Sequence, residues 1–134
     1  MNNGRFATSI HILTLLASQE GAWLSSDYIA GSININAVLV RKEIMNLRAR
    51  GFIVSKEGKG GGSMLAMSPK KILLSDVFTS TRQSRLLGRT NDPNDNCPIG
   101  RQINKHIDEL FEAAEQAMLH KLSKTTLADF CARF

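Results

Sequence analysis

A chain of 134 residues, 43% of them hydrophobic, is long enough to bury one proper core and too apolar to be a disordered tail. Its net charge of +5 is unevenly placed: residues 1–72 hold nine Lys/Arg against four Asp/Glu, whereas residues 73–134 hold eight of each. A polyanion-binding half and a neutral half with another task, such as assembly, are expected, with DNA, RNA or an acidic membrane surface all compatible with charge alone. No cationic leader and no apolar run of membrane-spanning length is present, so a cytoplasmic protein is predicted, its Cys97 and Cys131 left as thiols.

Phe6, Ile10, Leu13 and Ala17 recur at helical spacing and predict a largely buried first helix from about Arg5 to Ser18. His11 within it reads as a packed or surface side chain rather than a ligand. Gln19 to Gly21 breaks the helix, and Ala22 to Leu24 is extended in character, able to add a third strand to a later hairpin. Ser25 or Ser26 caps a second helix, with Asp27 set favourably in the first turn. Ile29 and Ala30 face the core, Gly31-Ser32 closes the helix, and Ile33 to Ile35 is the turn into Asn36.

From Asn36, a plausible N-cap, a third helix runs to Gly51, whose left-handed conformation would end it. At 100° per residue Ala37, Val40, Ile44 and Leu47 form one apolar stripe. Val38, Arg41, Lys42, Met45, Arg48 and Ala49 lie on or toward the opposite side, which a major groove would meet. A strand Phe52 to Lys56, a turn Glu57 to Ser63 and a returning strand Met64 to Met67 follow. The turn sets Gly58, Gly60, Gly61 and Gly62 around Lys59, so backbone can approach a partner closely. A phosphate-binding P-loop needs a Gly-Lys-Ser/Thr ending that opens a helix, and here a strand-like Met-Leu-Ala-Met follows instead. Two helices joined by a tight turn, the second cationic and running into a hairpin, compose a winged helix-turn-helix whose partner is double-stranded DNA.

On that reading Asn36, Val38, Arg41 and Lys42 reach base edges or adjacent phosphates, Lys59 with Gly60 and Gly61 tracks the backbone, and Arg48 and Lys56 add phosphate contacts. The Pro69-Lys70-Lys71 corner either touches a phosphate or is simply solvated. Ser75 caps a short helix through Asp76, Val77 and Phe78. From Thr79 to Asn96 the pattern dissolves into polar residues, among them Thr81, Arg82, Gln83, Ser84 and Arg85, and a turn-rich Asn91 to Asn96 stretch, read as a mobile loop.

Pro98 is placed at the first position of a long helix. Ile103, Ile107, Leu110, Ala114 and Ala117 step by fours and threes, with Phe111, Met118 and Leu122 widening the stripe. Such a stripe pairs with its copy in a second subunit or folds back on its own domain, and its coiled-coil-like spacing favours the homodimer. Two reading heads related by a twofold would take a palindromic operator. Thr126 to Phe134 reads as a short helix packing back. The expected organisation is a winged-helix head at residues 1–80, a loop at 81–97 carrying Cys97, and an assembly segment at 98–134: mainly α with a small β-hairpin wing.

Arg5-Phe6-Ala7, the Asn36 to Arg50 helix running into Gly51-Phe52-Ile53, the wing Gly58-Lys59-Gly60-Gly61-Gly62, and Cys97-Pro98-Ile99-Gly100 before a long helix together resemble the Rrf-two family. These are bacterial winged-helix repressors, including the iron–sulfur cluster regulator, the cysteine-metabolism repressor and the nitric-oxide sensor. The resemblance covers nearly the whole chain and implies a homodimeric transcriptional regulator with the long helix as dimer interface. Family members with a cluster carry three cysteines in the loop before that helix, and here Cys97 stands alone, so no iron–sulfur cluster and no metal is expected. Ser63 stands where the family often has an aromatic residue. The sequence looks closer to the cluster-free, YwnA-like branch.

Cys97, directly before Pro98, is expected at the N-cap of the long helix, where amides and dipole favour a thiolate, making it a candidate redox or electrophile sensor. A half-buried structural cysteine is the alternative. For function, the competing class is a basic winged-helix module that binds proteins through Val38 and Met45. An enzyme is not expected: no Ser/His/Asp set, HExxH or paired carboxylates occur, and His106 with Glu109 reads as a solvated pair.

Overall fold

The computed structural model describes residues 4–82 and 85–134; Gln83 and Ser84, read above as part of the polar loop, lie outside the described residues. The order is α1 (Arg5–Ser18), α2 (Ser26–Ile33), α3 (Ala37–Ala49), β1 (Ile53–Lys56), β2 (Gly62–Leu65), a 3₁₀ turn (Pro69–Lys71), α4 (Leu74–Thr81), α5 (Gly100–Leu122) and α6 (Leu127–Cys131). The fold is mainly helical, with an antiparallel two-strand hairpin as its wing.

The apolar stripes predicted for α1 and α3 meet. Ile12, Leu13 and Leu16 of α1 are buried with Ile29 of α2 and with Val40, Ile44 and Leu47 of α3, and Phe52 and Ile53 close the core beneath the hairpin. Burying a Leu or Ile side chain stabilises by roughly 1.5–3 kcal/mol, so this cluster dominates the packing of the head. Leu127 of α6 is buried in the same cluster, and its amide donates to the Ile72 carbonyl at 2.8 Å. Thr126 and Asp129 form the reciprocal capping box that starts α6. The C-terminal helix therefore returns to the first one.

Several boundaries differ from expectation. Helix α2 does not close at Gly31-Ser32 but runs to Ile33, which packs against the core, and Asn34 ends it at φ 63°. Asparagine tolerates that left-handed geometry, and its amide reaches the Ala30 carbonyl. Helix α4 starts at Leu74 without a side-chain cap from Ser75, which is buried, and continues to Thr81. Its polar end is compatible with burial because Ser80 and Thr81 return their hydroxyls to the carbonyls of Val77 and Phe78, at 2.7 and 2.9 Å. The sheet gains no third strand from Ala22 to Leu24: Leu24 makes one bridge to Ser63, through bonds of 3.0 and 2.8 Å. Ser63, expected in the turn, is buried in β2 opposite Ser55, their hydroxyls 3.1 Å apart.

Helix α5 is different in kind. Across its 23 residues the buried side chain is that of Glu115, paired with Arg82 at 2.7 Å. Leu110 is 64% exposed and Ile103 39%.

Candidate nucleic-acid interface

Helix α3 is fixed at both ends by local chemistry. Asn36 Oδ1 accepts the Val38 amide at 2.7 Å, so its oxygen holds the helix start and its amide nitrogen is what it has left to offer a base edge. Gly51, at φ 85°, turns the chain out of the helix. Val38, Arg41, Lys42, Met45 and Arg48 are all exposed on the outer side, as the 100° count requires. Arg41, Lys42 and Arg48 form no salt bridge among the described residues. The same face carries apolar surface: Val38 is 58% exposed and Met45 60%, with Leu39, at 55%, on its flank.

Glu43 is a residue that the sequence reading missed. Placed between Val40, Ile44 and Leu47 on the inner side of α3, it is buried and takes both Nε and Nη2 of Arg5 at 3.0 Å. The bidentate pair holds the acid of this helix behind the cationic face, where it does not neutralise Arg41 or Lys42. The same 100° count that finds the apolar stripe places Glu43 at its edge, about 40° from Leu47, and that is the signal that could have found it. His11, by contrast, is structural as expected: its Nε2 meets Ser32 Oγ at 3.0 Å, joining α1 to α2.

The wing separates its glycines by role. Gly58 and Gly60 hold φ of 87° and 77° at the tip around exposed Lys59. Gly61 and Gly62 are also needed by the hairpin itself. A Cβ at Gly61 would sit 2.1 Å from the Lys56 carbonyl oxygen, and one at Gly62 would sit 2.4 Å from that of Leu24. The Gly61 amide is already engaged by the Gly58 carbonyl at 3.0 Å. Lys56 extends over the Trp23 ring at 5.9 Å, a cation–π contact that steadies a wing cation and has no local signature in the sequence. Lys71 is exposed on the 3₁₀ turn against which α6 packs.

Ahead of α5, Cys97 is exposed but is not the N-cap: the helix begins at Gly100, with Ile99 flanking it. One isolated helical turn precedes it, closed by the Arg101 amide on the Cys97 carbonyl at 2.9 Å. Gly100 is needed there, since a Cβ would come within 2.5 Å of the Asn94 carbonyl oxygen. Cys131 is half-buried on α6; burial pushes its thiol pKa up, opposed by a hydrogen bond with Thr14.

The order head, glycine wing, cysteine loop and long helix is matched by one family model over residues 3–133, described as Rrf2, Iron-dependent Transcriptional regulator. The chain belongs to the Rrf2 family. It is thereby a transcriptional regulator of the Rrf2 type. "Putative HTH-type transcriptional regulator YwnA" of Bacillus subtilis (strain 168) is 37% identical over 130 residues, 96% of either chain. NsrR, an HTH-type transcriptional regulator of the same strain, is 31% identical over 124 residues, covering 90% of this chain and 83% of that one. Among solved structures, a Lactobacillus plantarum protein superposes with a TM-score of 0.83 at 23% identity, over 96% of this chain and 88% of that one, a likeness of fold alone.

The iron in the family description can be set against the donors of this Rrf2 protein. Iron–sulfur clusters are held mainly by several thiolates. Cys97 is the loop cysteine, Cys131 is committed to α6 beside Thr14, and no group of three or more His, Cys, Asp or Glu gathers among the described residues. The donor set does not fit a thiolate-held cluster within one chain. No helix among the described residues is long and apolar enough to cross a membrane.

The two thiols are expected to differ in reactivity. Iodoacetamide at neutral pH should label Cys97 at least about tenfold faster than Cys131, whose protonated thiol is a poor nucleophile. Peptide mapping of a labelling time course checks this, and equal rates would show that α6 opens freely from α1.

Proposed function

We propose that this Rrf2 protein is a homodimeric, sequence-specific DNA-binding repressor of a palindromic operator, working without an iron–sulfur cluster. The observation that carries the reading is the cationic face of α3, Arg41, Lys42 and Arg48, free of salt bridges among the described residues and presented beside a wing with Lys59 at its tip. Residues 1–80 form the reading head in this scheme, 81–97 the loop with Cys97, and 98–134 the assembly segment. Exposed apolar residues on a 23-residue helix support the dimer, since the described residues leave Leu110 largely and Ile103 partly uncovered. Phe111 and Met118, on the same stripe, are half-buried, and Phe111 lies under the Arg85 guanidinium at 5.3 Å. Ala114 is exposed with Leu110, and Ile107 beside them is half-buried.

Selection of bound duplexes from a random pool tests the reading directly, and enrichment of an inverted repeat is the expected result. Affinity for the enriched duplex should fall steeply with added salt, as counterions are released from each phosphate contacted. Arg41→Ala should cost roughly 1–3 kcal/mol by forfeiting a bidentate guanine contact, read by fluorescence anisotropy. A flat salt response would count against it. Running the selection with an oxidant on wild type and Cys97→Ser tests the sensor role: release that survives the substitution removes Cys97 from the signal.

A second reading, docking to protein through α3, draws on the exposed Val38, Leu39 and Met45. It predicts that the random pool yields no enriched sequence.

A further inference from the structure

Two polar attachments meet at the C-terminal end of α4. On one side, Asn46 Nδ2 donates to the Ser80 carbonyl at 3.0 Å, capping one of the acceptors that a helix end leaves without an internal partner. The same nitrogen donates to Glu43 Oε1 at 3.3 Å, so the carboxylate clamped by Arg5 also orients Asn46. On the other side, Arg82, which ends α4, reaches Glu115 of α5. The attachment to the reading helix and the attachment to the long helix are thus adjacent on the chain, at Ser80 and Arg82. Asn46 lies about 140° around α3 from Arg41 and about 40° from Lys42, and it is half-buried, with its side-chain nitrogen turned to Glu43 and Ser80.

Apolar surfaces tolerate sliding, whereas hydrogen bonds weaken steeply when their geometry is disturbed. A shift of α5 that carries Arg82 with it must therefore move Ser80, and with it Asn46. We propose that the end of α4 is a joint through which α5 sets the orientation of α3, with Asn46 as the positioning residue. The inference rests on the DNA-binding reading for its consequence, but the joint itself does not.

The test compares Glu115→Gln, Asn46→Ala and the double variant in the full-length protein. Two readouts are used: affinity for the duplex enriched from the random pool, and amide hydrogen exchange of α3 without DNA. Each single change is expected to weaken affinity about tenfold. The double should be no weaker than Asn46→Ala alone, because the link is already cut. Exchange in α3 should rise in Glu115→Gln while sedimentation and thermal midpoint stay near wild type. Losses that multiply, or α3 exchange unchanged in Glu115→Gln, would overturn the joint. Should Glu115→Gln fail to fold, Arg82→Ala against Arg82→Lys gives the same comparison, with lysine expected to restore much of the affinity. If wild type enriches no duplex the DNA reading fails, and the exchange measurement still decides the joint.

Discussion

Leu110→Lys is expected to convert the protein to monomers and to lower its affinity for a two-half-site duplex by about 10²–10⁴-fold, the gain that linking two binding modules brings. The residue lies mid-way along α5 with 64% of its surface exposed, and Ile103 and Ala114 share its side of the helix. An ammonium group there would be drawn out of water against an apolar copy of the same face and against its symmetry mate, two costs with nothing to offset them. Binding to a single half-site should change far less, because α3 and the wing are untouched. Sedimentation equilibrium and anisotropy on one- and two-half-site duplexes separate these effects. A dimer that survives Leu110→Lys would move the assembly surface elsewhere on the molecule.

Glu43→Ala is expected to destabilise the fold by about 1–3 kcal/mol, less than the loss at a fully buried ion pair, because Glu43 is buried but the Arg5 side chain keeps 25% of its surface exposed. It would remove the carboxylate that accepts from both Arg5 and Asn46. The guanidinium pKa is raised by its hydrogen bonds to Glu43, against desolvation and with some Coulomb attraction. A raised folded-state pKa contributes stability that is fully present through the neutral range and is lost only in strong alkali. Pairing Glu43→Leu with Arg5→Met should recover most of the loss, since apolar replacement of both partners is often near neutral. Urea unfolding at fixed protein concentration measures all three. A Glu43→Ala protein as stable as wild type would show that the pair contributes only orientation.

Much of the head is legible in local patterns. Helix α1 is expected at its observed limits because four apolar residues repeat with the helical period, and α3 is expected with both ends correct because Asn36 and Gly51 act on their immediate neighbours. The wing is visible for the same reason, since glycines at positive φ mark a turn whatever surrounds it. Where local patterns are ambiguous, expectation and structure part. The polar run at the end of α4 reads as loop, yet Thr79, Ser80 and Thr81 satisfy their hydroxyls on carbonyls of the helix itself. Asn34 is hidden as a helix terminator by the glycine three positions before it, which draws the expected end too early.

Periodicity, caps and turn residues are interactions within a few positions of one another, so the sequence by itself determined the head, the wing and the character of the long helix. The rest depends on partners that only packing brings together. Arg5 and Glu43 are 38 positions apart, and Asn46 and Ser80 are 34 apart. Likewise Gly62 is needed because Leu24 crosses it, not because of its own turn. Tertiary structure decided which charges face outward and which are held inside, because burial is a property of the neighbours a residue acquires and not of the residue alone.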